Sequence, residues 1–574
     1  MRLSKKLTQG LLPTLFCLMA ILLASCGNGN QGVATTGPVQ KASADKQVFV
    51  IPEPGVADIA TFDPGLSTDL PSIDAIDMVF TGLVQLNDKL EVVCQLCTSY
   101  QPGSDGVTWT FHLKPNLKFS DGTPLTATDV AYSIDRSLQP DLHSTVAPIY
   151  EALIKDSDKL GAGKIKTIIG DSVTAVDPNT VRIVTNKKAT YFLDALTYSC
   201  SYVVEKSLVD KYGKNFTDHL TEGGGAGPFK VQEWTHNKQI VFVPNPNYYG
   251  PKPQLQKVIF PFYKQTDTTY RAYQVGQVDV TSIPSTNYAA AQKRSDFHKV
   301  PQLWINYYTM NYLVKPFDSI NMRKAFALAI NKDEIVHAVW KDQYIATNHI
   351  VPKGMPGYDA DLKGPDGTTS TRGNPTAAQQ LFQAGLKDEG VTSASQLPPI
   401  KLTYGTTSTE ADNEVAVMVQ QWQRVLGVSV KADPIDFNRL LTETTAAANN
   451  PNGLQFYGLA WIADYPDAQD WTTLQFGNGV PNNYMNYGQN HSADAAQQQA
   501  VQTALAQADV TPAGPARIQA YNAAEQQLIN DVAWMPMEQV QNTYLLKPYV
   551  HHYIVNPQFV VPPDDWGNIY ISTH

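Results

Sequence analysis

Apolar and polar positions follow two different periods along this chain, and the changes of period mark its elements. Residues 108–113 (TWTFHL) alternate with period two, which predicts a strand. Residues 127–138 follow a helical period, with Val130, Ile134 and Leu138 on one face, Thr126 as N-cap and Asp129 three residues on. The apolar run 48–51 opens the folded part, 227–234 and 239–243 read as two strands joined by a polar turn, and 257–263 as a further strand. A helix over 267–274 and a short strand over 277–281 follow. Asp318 and Ser319 cap a helix in which Met322, Phe326, Ala329 and Ile330 share a face. Residues 331–333 start another, carrying Ile335, Val336, Val339 and Trp340. Asn374-Pro375 places proline at the first helical position ahead of Leu381, Phe382 and Leu386.

A strand–helix alternation comes next: strand 399–404, helix 410–426, strand 428–432, helix 438–448, strand 454–462. Such alternation predicts a parallel sheet with crossover helices, so the class is α/β. Ligands of open α/β sheets bind beyond the carboxyl ends of strands. The last strand delivers Trp461-Ile462-Ala463-Asp464-Tyr465-Pro466-Asp467 to that edge. The glycine-rich run 223–227 precedes a strand instead of opening a helix, and reads as a flexible entry to that strand.

Composition narrows the functional classes. A chain of 574 residues implies two to four domains. Charged residues are only 17% against 43% hydrophobic, which excludes a disordered or coiled-coil chain. A net charge of −10 argues against nucleic acid as a partner. The 28 Tyr, 20 Phe and 9 Trp leave room for a ligand cleft as well as cores.

The N-terminus states a destination. Arg2, Lys5 and Lys6 precede an apolar run from Leu11 to Leu23 that is too short to span a bilayer, so it reads as a secretory signal. Leu23-Ala24-Ser25-Cys26 then matches the bacterial lipoprotein box, which makes residues 1–25 the signal peptide and Cys26 the lipidated first residue. Residues 26–45 form a polar tether reaching about 25 Å from the membrane. The folded body is expected outside the cytoplasm, on the periplasmic side or outer face of the cell membrane.

Of the remaining cysteines, Cys94, Cys97 and Cys200, two are expected in a structural disulfide whose pairing the sequence leaves open. The eleven His show no metal-ligand spacing, and neither a G-x-S-x-G elbow nor a P-loop occurs. The one G-x-G-x-x-G match, at Gly27, Gly29 and Gly32, lies in the tether with no strand before it. No metal, no cofactor and no enzymatic activity are expected.

Four segments, in order, resemble the substrate-binding lipoproteins of bacterial ABC importers for oligopeptides and dipeptides (solute-binding protein family 5). They are 109–133 (WTFHLKPNLKFSDGTPLTATDVAYS); Gly227-Pro228-Phe229 with 245–250 (NPNYYG); Pro316-Phe317-Asp318 leading to Arg323-Lys324-Ala325 and Ala329-Ile330-Asn331; and 461–467. The resemblance implies a two-lobed periplasmic-binding-protein-like fold of type II with an extra inserted domain and a cleft between lobes. It divides the chain into a discontinuous lobe I (46–85, 215–308 and 530–574), an inserted domain (86–214) and a distal lobe (309–529).

The same resemblance places the ligand. It implies that Asp464 pairs with the α-ammonium group of a peptide and that Trp461 and Tyr465 line the cleft. Backbone beside Ala460 and Ile462 would pair with the peptide main chain as an added strand. Read without it, Asp464 is a turn residue ahead of Pro466, Trp461 and Tyr465 suit a core equally well, and the Arg323 helix is structural. The partners implied are an oligopeptide or dipeptide, ABC permease subunits, and a membrane through the lipid anchor, with the protein a monomer. A receptor of the same fold for an oligosaccharide, a metal chelate or an opine is the alternative. A secreted hydrolase would need a nucleophile–base or metal constellation, and an adhesin would need no permease.

Overall fold

The hairpin expected from the 227–243 pattern sits at the edge of a five-stranded sheet. Phe229–Thr235 and Gln239–Pro244 pair antiparallel, Lys257–Tyr263 follows, and Val48–Val50 lies parallel to it. The structure is a computed structural model and describes residues 40–405 and 408–574. The signal segment, Cys26 and most of the expected tether lie outside these residues. Order begins earlier than 46, however. Lys41 bridges Ser572, the Ala42 amide donates to the Ile571 carbonyl at 2.9 Å, and the buried Gln47 amide ties both Ala42 and Ile571. A polar sequence is no bar to order where its backbone is paired.

Phe49, Ile76, Phe242 and Val258 share the core of this first sheet with the helix Leu70–Val79. A second core, around Phe111, Val130, Ile134 and Val181, is covered by a four-stranded antiparallel sheet in the order Cys97–Pro102, Thr108–Leu113, Thr180–Val184, Val173–Asp177. The helix Ala127–Ser137 packs here behind the expected capping box, with the Thr126 amide donating to Asp129 at 2.8 Å. Cys94 and Cys97 form the disulfide, and Cys200 is a buried thiol that burial pushes to a high pKa.

The glycine run proves to be a tight crossing, not a flexible entry. Residues 223–228 are buried, and the Gly227 amide donates to the Val79 carbonyl at 2.8 Å. A Cβ on Gly225 would stand 2.1 Å from the Val79 oxygen, so close backbone approach is what selects glycine there. Gly225→Ala is therefore expected to cost about 1–3 kcal/mol, because the clashing atom is backbone and cannot swing aside. A thermal denaturation curve unchanged by the substitution would contradict this.

The strand–helix alternation is present as Ile400–Gly405, Thr409–Leu426, Val430–Ile435, Phe437–Thr445 and Phe456–Ile462. Ile400–Gly405 lies between the other two strands and runs parallel to both. The sheet as a whole is mixed, however, not parallel. Phe456–Ile462 meets its inner neighbour only at Phe456 and Tyr457, and along its full length it pairs antiparallel with Phe297–Met310. The crossover helices account only for the parallel part. The antiparallel strands enter from distant sequence, which a local pattern cannot register.

Two long strands, Phe297–Met310 and Met535–Leu546, pair antiparallel and connect the cores. Tyr544 and Leu546 belong to the core of the first sheet, whereas Tyr308, Met310, Met535 and Met537 belong to that of Phe326, Leu402 and Trp422. The pairing slips between Pro301 and Ile305, and again between Asn306 and Tyr307. Bulges of this kind bend a sheet locally. The expected limit at 308/309 falls within the first of these strands. Among the described residues, no helix is long and apolar enough to cross a membrane.

Candidate functional site

The strand Phe456–Ile462 ends beside Trp304, and the Ala463 amide donates to the Leu303 carbonyl at 2.8 Å. The chain then turns through Tyr465 and Pro466. Asp467 caps the short helix Ala468–Trp471 by accepting from the Gln469 amide at 2.8 Å. Three aspartates follow one another at three-residue spacing here, and each has a different partner. Asp467 is held by the Arg517 guanidinium through two bonds of 2.6 and 2.8 Å. Asp470 accepts from the Trp461 indole at 3.1 Å and from the Asp464 amide at 3.3 Å, which ties the turn back to its strand. Asp464 accepts from the Tyr150 hydroxyl, and no Lys, Arg or His among the described residues forms an ion pair with it.

The electrostatics follow from those partners. Burial pushes the Asp464 carboxyl up to about 7, opposed by the Tyr150 hydrogen bond. Asp470 is pushed well above the carboxylate range by burial and then by the neighbouring Asp464 charge. Two adjacent carboxylates without a cation cannot both ionise cheaply. A cation arriving at Asp464 would relieve the conflict.

Asp464 opens on a cavity of about 520 Å³, lined on its several sides by Leu70, Tyr198, Trp304, Phe437 and Trp461 among others. Of the site residues expected from sequence, Ala460, Trp461, Ile462 and Asp464 line it. Tyr465 does not. It is only 3% exposed and lies in the core of the Phe111 sheet, face to face with Tyr191 at 6.2 Å and edge-on to Tyr150 at 6.3 Å. Its role here is packing across the turn, and the apolar body of a tyrosine explains that as well as a binding role would. Beyond Tyr457, the edge of the 456–462 strand away from Trp304 carries no strand among the described residues.

Several residues that shape the site were not singled out from the sequence. Tyr150, stacked on Tyr198 at 3.8 Å, reaches Asp464 from 314 positions away. Phe437 and Leu441 present an i, i+4 apolar pair to the cavity and are 46% and 44% exposed. Their spacing is visible in the sequence, but it resembles any core face. Among the described residues, no group of three His, Cys, Asp or Glu is arranged to hold a metal ion.

Two packed α/β parts joined by long strands, with a ligand-sized cavity at the strand ends, define a solute-binding fold of the periplasmic type. Residues 91–483 match the bacterial extracellular solute-binding proteins, family 5 (middle region), and the chain belongs to that family. The family is one of binding components, not enzymes. The chain is 29% identical to the periplasmic murein peptide-binding protein MppA of Escherichia coli over 87% of its own length and 89% of that protein. It is 26% identical to the oligopeptide-binding protein OppA of Bacillus subtilis over 80% and 83% of the two chains. The solved structure of the Escherichia coli murein tripeptide binding protein MppA superposes with a TM-score of 0.74 at 27% identity, covering 92% of this chain and 98% of that one.

Proposed function

We propose that the protein is the substrate-binding component of an ABC importer that captures short peptides in this cavity and delivers them to membrane permease subunits. One observation carries the reading: Asp464 is a carboxylate facing a ligand-sized cavity, held by a tyrosine hydroxyl and without a cationic partner among the described residues. Peptides of any sequence share an amino terminus and backbone amides, and those are the features a broad-range receptor can fix. The unpaired edge beside Ala460 and Ile462 supports main-chain pairing, and the aromatic walls tolerate varied side chains. The relatives named for oligopeptides and murein peptides support the ligand class. The lobes would correspond to 46–85, 215–308 and 530–574 on one side and 309–529 on the other, with 86–214 inserted. The lipoprotein box supports export through the signal peptide and an anchor at Cys26; we read the protein as a monomer held at the membrane surface.

The anchoring reading has a pH signature. Because the Asp464 pKa in the free protein is raised to about 7, an ammonium group binding there at lower pH must displace a proton. Affinity is therefore expected to fall as pH drops below about 7, and to fall again once the peptide α-amino group deprotonates above about 8. Calorimetry of a tripeptide in buffers of different ionisation enthalpy should register proton release on the acidic side. Binding independent of pH from about 5 to 9 would contradict the assignment.

A further inference from the structure

We propose that Asp77 is a second cation-recognising residue of this cavity and selects peptides that carry a lysine or arginine side chain in addition to their amino terminus. The proposal rests on the peptide reading above and deepens it.

The charged residues lining the cavity are Asp464 and Asp77, and no Lys, Arg or His lines it among the described residues. Asp77 lies on the helix Leu70–Val79, in the part built on the five-stranded sheet, whereas Asp464 follows the Phe456–Ile462 strand. One Asp77 oxygen accepts from the Tyr202 hydroxyl at 2.9 Å, and the same hydroxyl accepts from the Gln85 side-chain amide at 2.6 Å. Gln85 and Tyr202 line the cavity as well. This relay fixes the orientation of the carboxylate: the amide proton goes to the hydroxyl oxygen, and the hydroxyl proton goes to Asp77.

Asp77 is 6% exposed and forms no ion pair among the described residues. Burial pushes its carboxyl up to about 7, a cost that a wholly structural position could avoid with asparagine. The basic side chains of neighbouring segments are already committed: Arg136 to Asp63 at 2.5 Å and Arg517 to Asp467 at 2.6 Å. A ligand cation is thus the counter-charge that the site lacks. Conversely, an additional ligand carboxylate would meet two carboxyl groups and otherwise neutral walls with no cation to pair it, so acidic peptides should bind more weakly.

The test is a calorimetric series of tetrapeptides with one neutral parent, variants carrying Lys or Arg at each position in turn, and variants carrying Glu. At least one basic variant is expected to bind roughly tenfold or more tighter than the parent, and the Glu variants more weakly. Asp77→Asn keeps an acceptor for the Tyr202 hydroxyl and should erase the basic advantage, so that basic and neutral peptides bind the variant alike. Basic and neutral peptides binding alike to the natural protein would overturn the proposal without any variant being needed. So would an advantage that persists in a folded Asp77→Asn protein. If the neutral parent binds and loses affinity in Asp464→Asn, the peptide reading stands whatever Asp77 does. If no peptide in the series binds, both readings fall together.

Discussion

Replacing Asp464 by asparagine is expected to weaken peptide binding by about 2–5 kcal/mol, roughly 30- to 4000-fold, with the fold intact. The size follows from what is removed. An ammonium group brought into this cavity gives up its hydration, and only a carboxylate repays that with a charge-assisted bond. Asparagine can still accept from Tyr150, so the contact between the two parts of the protein survives while the charge does not. Stability without peptide should be unchanged or slightly higher, since a carboxyl whose pKa is raised by burial destabilises the folded state as pH rises from about 4 towards 7. Calorimetry with a tripeptide, read beside a thermal melt of the same variant, separates the two effects. An unchanged affinity would remove Asp464 as the anchor. Loss of affinity together with a collapsed melting transition would show instead that the turn depends on this carboxylate. Asp464→Ala should lose peptide as strongly and, lacking an acceptor for Tyr150, should also loosen the contact with the 147–150 segment.

How much of this was legible in the sequence depends on the range of each constraint. The capping box at Thr126 and Asp129, the Asn374-Pro375 helix start and the 229–244 hairpin are local, and the structure contains all three. Asp464 stood out only through the resemblance of its segment to the family; from the residues alone, the strand exit ahead of Pro466 made it a turn residue. Its proton donor did not stand out at all. Tyr150 sits in a short helix, Ala147–Tyr150, with no local feature that points towards residue 464. Asp77 was hidden for the same reason: its partners Tyr202 and Gln85 come from other elements, and an aspartate on a helix reads as a solvated position. Tyr465 is the converse case. The resemblance placed it in the cleft while the residues alone suited a core equally well, and the turn at Pro466 brings it into the packing against Tyr191. The glycine run failed differently, since glycine abundance signals freedom locally while the constraint at Gly225 is the Val79 carbonyl, far away in sequence.

Arg323→Met is expected to destabilise the protein by about 3–5 kcal/mol while leaving the peptide cavity unaltered. Arg323 is fully buried, and its planar fork is used on every side. It donates to the Asp531 carbonyl at 3.1 Å, to the Phe317 and Asp318 carbonyls at 2.8 and 3.2 Å, and to the Asp494 carboxylate at 2.7 Å. Its guanidinium also lies 3.7 Å from the centre of the Tyr312 ring. Methionine fills similar volume but returns none of these bonds, so three carbonyl oxygens lose a donor and Asp494 loses its counter-charge. Burial would raise the Asp494 pKa, yet Ser492 and then Arg323 hold it below the ordinary carboxylate value, so its contribution is present at neutral pH and fades as the solution is acidified. Lysine restores a charge but not the fork, and Arg323→Lys should recover only part of the loss. Urea unfolding followed by fluorescence would measure all three proteins. A cost below about 1 kcal/mol for the methionine variant would mean that these carbonyls find water or other donors, and that the junction of the 320–328 helix with the Pro515–Asp531 helix does not depend on this side chain. None of these groups lines the cavity, so peptide affinity measured well below the melting temperature should match that of the natural protein.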